Sequence, residues 1–109
     1  MKRRSISSVA QQVRTRALKL KAASEPTIEA LDEFIRLVDL LGSYFERAST
    51  AKTQRLAVDA NRHLFDLQEI RQKIGSGGRD PQSLDTNRSA LHEALGSLIR
   101  LVDRDYPRK

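Results

Sequence analysis

Two histidines are the side chains of this 109-residue chain best suited to acid–base or metal chemistry. His92 is followed by Glu93, but residue 96 is a glycine, so the two-histidine spacing of a helical zinc site is absent. The chain also has no cysteine that could complete a ligand set. His63 borders an apolar helical stripe, where a packed histidine is more common than a ligand. The sequence therefore predicts no metal and no cofactor.

An enzymatic alternative starts from Arg88 and His92, which are four residues apart and share one face of a helix. The pair is similar to the Arg and His of some helical ribonucleases, although those enzymes separate the two residues by a longer gap. A small helical nuclease using Arg88, His92 and an acid would need a concave pocket in which these groups converge. We expect a non-enzymatic protein instead.

A glycine-rich stretch, GSGGR at residues 75–79, has the composition of a phosphate-binding loop. Such a loop follows a strand and ends in Lys-Ser or Lys-Thr before a helix. This stretch follows a helical pattern and continues into Asp80-Pro81. The sequence therefore predicts a flexible linker over residues 75–80.

Four helices must position these residues. The first helix begins at Ile6, after a loose N-terminus over residues 1–5. It ends before a break at residues 24–27, where Ser24 is the expected cap of the second helix. The second helix ends near Ala48, and Ser49-Thr50 provides a turn and a new cap. The third ends at Ile74 before Gly75. The fourth follows Asp80-Pro81 and stops at Pro107.

The second helix is the one around which the fold must be built. Its segment Ile28–Phe45 is apolar over more than half of its circumference, whereas a helix packed on one side needs an arc of about 100°. We expect it to be the most buried element. With short connections and one apolar seam on each other helix, the prediction is an all-α antiparallel four-helix bundle, up-and-down, with a basic amphipathic N-terminal helix, in a single domain over residues 1–109.

An internal similarity relates the second helix to the fourth. Residues 29–39 read EALDEFIRLVD and residues 93–103 read EALGSLIRLVD, so eight of eleven positions are identical. A duplicated hairpin would explain this, as would convergence on a good Leu-rich helix. In either case the shared residues predict equivalent surroundings for the two helices.

The net charge of +6 is concentrated at the N-terminus. Residues 1–23 contain no acid, and their cations are the predicted partner-binding residues: Lys2, Arg3, Arg4, Arg14, Arg16, Lys19 and Lys21. Arginine and lysine without acids suit phosphate backbones, acidic proteins or anionic lipid. The alternative is that this helix simply packs on the second helix, whose acidic strip includes Glu25, Glu29, Asp32 and Asp39 around Arg36.

The wide apolar arc of the second helix also predicts self-association. If its neighbours cover only part of the arc, a strip containing Leu37, Leu40 or Tyr44 faces outward and forms a homodimer interface. The competing prediction is that the first helix covers this strip.

These observations favour a small, cytoplasmic, bacterial or phage-type interaction protein that binds an acidic protein or a nucleic acid. No apolar run is long enough to span a membrane, and the absence of cysteine fits a reducing compartment. In size, positive charge and helix order the chain resembles the small four-helix immunity proteins that protect bacteria from their own bacteriocins. That resemblance implies action at the cytoplasmic face of the membrane, although this chain is richer in arginine than in lysine.

Overall fold

The computed structural model describes residues 5–23, 27–75 and 81–106, and within these ranges it describes every side chain except those of residues 75 and 81–85. Four helices account for nearly all of these residues: α1 (Ile6–Ala22), α2 (Ile28–Ala48), α3 (Ala51–Gly75) and α4 (Pro81–Asp105). The described ranges contain no strand. The expected all-helical four-helix fold is confirmed. The linker predicted over residues 75–80 starts one residue too early, because Gly75 is the last residue of α3, and residues 76–80 and the stop at Pro107 lie outside the described residues.

Hydroxyl caps begin the first two helices. Ser5 Oγ accepts from the Ser8 amide at 3.1 Å, and Thr27 Oγ1 accepts from the Ala30 amide at 3.0 Å. Each bond satisfies one of the amides that the first turn of a helix leaves without a carbonyl. The cap of α2 is therefore Thr27, one residue before the helix, whereas the expected cap Ser24 lies outside the described residues, as does the Asp80 cap expected for α4.

The connection between α2 and α3 is a turn of two residues. Ser49 takes the left-handed conformation, with φ 54° and ψ 31°, which ends α2. Thr50 and Thr53 then cap α3 reciprocally, because each hydroxyl accepts from the other residue's amide, at 3.0 and 2.9 Å. The turn and new cap expected at Ser49-Thr50 are both present.

Cross-helix contacts give the relative directions of the helices. In α2 and α3, Asp32 contacts Arg71 while Glu46 contacts Asn61, so these helices run in opposite directions. In α1 and α4, Gln11 contacts Tyr106 and Arg14 contacts Asp103, with the same consequence. Within the described residues, each helix packs on two neighbours in the ring α1–α2–α3–α4–α1, and the backbones of diagonal helices do not come close to each other.

The core fills the centre of this ring. Its largest fully buried side chains are Phe34, Phe45, Leu31, Leu41, Leu67, Leu91, Leu95, Leu98, Val9, Val13, Val38 and Val102. All four helices contribute to the core, and α4 buries more positions than α2 does. The prediction that the second helix is the most buried element is therefore wrong. The reason is that the seam of α4 contains small residues, Ala94 and Gly96, that are buried along with its leucines.

Tyr106 closes one end of the bundle by contacting the other three helices. Its ring stacks on Phe45 of α2, with centroids 6.0 Å apart, and Lys52 of α3 lies over the ring at 5.3 Å. Gln11 of α1 donates to its carbonyl. Burial raises the pKa of the phenol.

Candidate binding surface between α1 and α4

The cations of α1 lie on both flanks of its buried stripe, which consists of Val9, Ala10, Val13, Ala17 and Leu20. On the flank towards α4, Arg14 Nε lies 2.6 Å from Asp103 Oδ1. On the flank towards α2, Arg16 Nη1 lies 3.7 Å from Glu33 Oε2. These two arginines of the predicted set are therefore neutralised by carboxylates of the bundle itself.

Lys21 is in a different situation, because it meets another cation. A Cβ built on Gly96 of α4 would lie 3.5 Å from Arg100 Nη1 and 4.0 Å from Lys21 Nζ. The two cationic groups therefore both lie over Gly96. The distance between Arg100 Nη1 and Lys21 Nζ is at most the sum of the two distances from that Cβ. Arg100 Nη2 also donates to Ser97 Oγ at 3.2 Å, which holds the guanidinium beside the glycine.

No described carboxylate forms an ion pair with Lys21, Arg100 or Lys19. Lys19 is exposed on the α2 side of the same helical end. The basic surface is therefore the pair of Lys21 and Arg100, with the Ser97 hydroxyl at its edge, and Lys19 is a further exposed cation on the other flank of α1. The remaining predicted residues, Lys2, Arg3 and Arg4, lie outside the described residues.

The two expectations for the first helix were that it binds a partner or that it packs on α2. Its apolar stripe is buried between α2 and α4, and two of its cations contact carboxylates of these helices. The packing expectation therefore holds for the middle of α1, around Arg14 and Arg16. At the C-terminal end of α1, Lys19 and Lys21 are exposed, and no described carboxylate forms an ion pair with them.

The residues expected at a dimer interface are half-buried. Leu37, Leu40 and Tyr44 pack against the core, and Arg47 lies over the Tyr44 ring at 5.7 Å. The exposed large apolar side chains of the described residues are instead Leu18, at 41 %, and Val58 and Phe65, each at 61 %. Self-association through α2 stays a prediction.

The acidic strip of α2 is used within the bundle. Asp32 accepts from Arg71 Nε at 2.9 Å and from Nη2 at 3.4 Å, in a two-point pair whose side chains are each about one-third exposed. The hydrogen bond from Arg71 holds the pKa of Asp32 below its usual range and raises that of the guanidinium. Glu25 lies outside the described residues.

A groove of about 400 Å³ separates α3 from α4. It is lined by His63, Asp66, Glu69, Ile70, Lys73, Ala90, Glu93, Ala94 and Ser97. His63 is half-buried there, and loss of water around the ring lowers its pKa. This agrees with the expectation of a packed histidine at position 63.

The residues of the enzymatic alternative do not share this groove. Arg88 is exposed and His92 is half-buried, and neither lines the space between α3 and α4. Among the described residues, no group of three His, Cys, Asp or Glu side chains is arranged to hold a metal ion. None of the described helices is both long enough and apolar enough to cross a membrane.

Sequence reasoning found Lys19 and Lys21 but missed Arg100, Gly96 and Ser97. These three belong to the segment that resembles α2, and two of them are positions at which the segments differ. The difference between the two segments at positions 96 and 97 was the signal in the sequence that could have indicated this surface. Comparison of the chain with known protein families, with curated proteins and with solved structures gives no match.

Proposed function

We propose that this protein is a non-enzymatic interaction protein that binds an acidic macromolecule, a nucleic acid or an acidic protein, through its basic surface. The observation that supports this proposal is the contrast within α1. Arg14 and Arg16 are matched by Asp103 and Glu33, whereas Lys19, Lys21 and Arg100 contact no described carboxylate. Cations that fold without an internal partner keep their full charge for an external anion.

The chemistry of the basic surface suits an oxyanion. The Arg100 guanidinium offers a planar fork of donors, one of which already bonds Ser97, and Lys21 adds a point charge beside it. Gly96 carries no side chain, so both cations can lie over it, and both remain exposed on their outer side to an oxygen of the ligand. A single exposed ion pair contributes only about 0–1 kcal/mol, so useful affinity requires several contacts along a polyanion.

The proposed activity is binding alone and needs no catalytic group or cofactor. We infer that it takes place in the cytoplasm, where nucleic acids and acidic proteins are both available partners. The N-terminal cations Lys2, Arg3 and Arg4 precede α1 in the sequence and stay candidate partner-binding residues.

The test is fluorescence anisotropy with two labelled probes, a 20-nucleotide single strand and a polyglutamate chain, from 50 to 200 mM salt. We expect binding that weakens steeply with salt, because each phosphate contact adds about 0.7–0.9 to the slope of log K against log salt. The variant Lys21→Gln/Arg100→Gln should lower both the affinity and the slope.

The matched control is Arg36→Gln, because Arg36 is the α2 counterpart of Arg100 in the repeated segment and is also exposed. This variant should bind like the wild type. If neither probe binds, or if Arg36→Gln weakens binding as much as Arg100→Gln does, the basic surface is not the binding site. Whichever probe binds more tightly identifies the class of partner.

A further inference from the structure

The groove between α3 and α4 exists because α4 presents small side chains to α3. Ala90, Ala94 and Ser97 form the α4 side of the groove, together with Glu93. This is also the least extensive of the four helix contacts, whereas α2 and α3 make the most extensive one. Its volume of about 400 Å³ falls within the range of binding pockets, about 300–1,000 Å³.

The groove combines an apolar floor with acidic walls. Ile70, Ala90 and Ala94 provide carbon surface, and both alanines are at least half-buried. Asp66 and Glu69 stand on the α3 wall and Glu93 on the α4 wall.

Among the described residues, Lys73 is the only lysine or arginine that lines the groove, and burial lowers the pKa of His63, which favours its neutral form. The groove is therefore an acidic place on a protein whose net charge is +6.

An exposed aromatic side chain borders the α3 wall. Phe65 is 61 % exposed and precedes Glu69 by four residues, so the two side chains are neighbours on the helix surface. Aromatic residues beside a groove are common anchors for protein partners. A ligand lying between the acidic walls can therefore also cover Phe65.

We propose that this groove binds a basic segment of a partner protein, with lysine or arginine side chains laid across Ile70, Ala90 and Ala94. The aliphatic stem of such a side chain covers the apolar floor while its charged end reaches a carboxylate at either wall. The apolar residues of the same segment pack on Phe65. The matching of charge and carbon surface to a long cationic side chain is the argument for this occupant.

The groove and the basic surface lie on adjacent sides of α4 and meet at Ser97, which lines the groove and accepts a hydrogen bond from Arg100. Lys21 belongs to α1, whereas Asp66, Glu69 and Phe65 belong to α3, whose backbone does not come close to that of α1 in the described residues. The experiments can therefore show no peptide binding at the groove while the basic surface still binds its polyanion, and the reverse result is equally possible.

The test uses a fluorescein-labelled peptide of twelve residues that repeats Leu-Arg-Ala, titrated with the full chain. The groove variant is Glu69→Gln/Glu93→Gln, and its control is Glu29→Gln/Asp39→Asn, which removes the same charge from exposed positions of α2. We expect a loss of affinity of about fivefold or more in the groove variant and less than about twofold in the control. Equal losses would show attraction to overall charge and overturn the proposal.

A second pair of variants tests the apolar contact. Phe65 and Val58 are equally exposed on the same helix, but Val58 lies about three turns away from Glu69. Phe65→Ala should weaken the peptide and Val58→Ala should not, with melting temperatures unchanged in both. Ala90→Leu, which fills the floor, should block binding, while Lys19→Gln/Lys21→Gln, which changes only α1, leaves it intact.

The remaining outcomes assign the groove to another occupant. If the wild type forms a dimer in sedimentation equilibrium and Glu69→Gln/Glu93→Gln is a monomer, the occupant is a second copy of this chain. If spermidine displaces the peptide at a lower concentration than unlabelled peptide does, the groove selects a small polyamine. Either result would overturn the assignment to a partner protein.

Discussion

The helices α2 and α4 contain similar segments in equivalent positions, yet they present different surfaces. Each packs between α1 and α3, and the two lie diagonally across the core. Identical or similar residues in the two segments are buried at equivalent places, as in the pairs Leu31 and Leu95, Phe34 and Leu98, and Val38 and Val102. The equivalent surroundings predicted from the repeat are therefore found.

The first surface difference follows from Asp32 of α2 and its counterpart, Gly96 of α4. Asp32 binds Arg71 of the neighbouring α3 and so neutralises it. At the equivalent place on α4, Gly96 has no carboxylate to offer, and no described carboxylate forms an ion pair with Lys21 of α1 or with Arg100. The aspartate of α2 thus gives a charge-balanced boundary with α3, whereas the glycine at the same position of α4 leaves a basic surface at the boundary with α1.

The second surface difference follows from Glu33 and Ser97. Glu33 extends from α2 to Arg16 of α1. Ser97 has a shorter side chain that lines the groove between α4 and α3. Its hydroxyl accepts a hydrogen bond from Arg100. The comparison teaches that the shared positions of the segment build the core, while the positions that differ decide what each side of the bundle can bind.

The largest expected effect tests the shared positions. Val38→Asp and Val102→Asp each place an unpaired carboxylate among fully buried side chains. A buried charge without a partner costs several kcal/mol, comparable with the total stability of about 5–15 kcal/mol for a domain. We expect both variants to lose helical circular dichroism and cooperative melting. Val58→Asp, at an exposed position, is the control and should melt like the wild type; loss of folding in only one of the two would break the equivalence of α2 and α4.

The next effect tests the surface difference directly. Gly96→Asp gives α4 the residue of α2 and adds a carboxylate beside Arg100 and Lys21, and its Cβ has only ordinary contacts at 3.5 and 4.0 Å. An internal acid competes with the external anion, so polyanion affinity should fall by about fivefold or more. Gly96→Asn, of nearly equal size and without the charge, should retain binding; if both variants bind equally well, charge at this position is irrelevant.

A smaller effect compares the helical glycines of the two helices. A Cβ at Gly42 of α2 would lie 3.5 Å from Asn61 Oδ1 and 3.9 Å from the Ala60 Cβ, so an alanine fits there as it does at Gly96. Each Gly→Ala change should raise the free energy of unfolding by about 0.5–1 kcal/mol through lower backbone entropy in the unfolded chain. Chemical denaturation measures both, and a destabilised Gly42→Ala would show that the close approach of α2 and α3 needs a bare backbone.

The sequence predicts the helices well because their apolar spacing, caps and breaks are local signals. The start at Ile6, the end at Ala48 and the turn at Ser49-Thr50 all follow from neighbouring residues. The binding surfaces depend on which helices become neighbours, which is not local information. Arg100 meets Lys21 only because α4 packs against α1, and this ring order comes from tertiary packing.

The apolar arc of α2 shows the same limit. The arc is as wide as its pattern indicates, but Leu37, Leu40 and Tyr44 are half-buried against the core. The exposed apolar positions are on α1 and α3, where Leu18, Val58 and Phe65 interrupt polar faces. The width of the apolar arc on one helix therefore does not determine how much of that arc the neighbouring helices cover.

The smallest effect concerns pH and the two sides of α3. On the side towards α4, burial is the main cause of the lowered pKa of His63, and Arg62 and Arg100 lower it further against the opposing effect of Asp66 and Asp59. The native protein therefore binds a proton at this ring less readily than the unfolded chain does. Stability is fully present above the unfolded pKa of about 6.5 and is lost as the pH falls from there towards the lower native pKa.

On the side towards α2, the lowered pKa of Asp32 places the corresponding loss of stability at a more acidic pH, below the ordinary aspartate value of 3.8. Urea denaturation from pH 8 to pH 3 should therefore show two separate declines. His63→Gln should flatten the decline that begins near pH 6.5, and Asp32→Asn should reduce only the acidic one. His92→Gln, at a half-buried position of α4, is the control for loss of a histidine. A decline near pH 6.5 that survives unchanged in His63→Gln would contradict its assignment to His63.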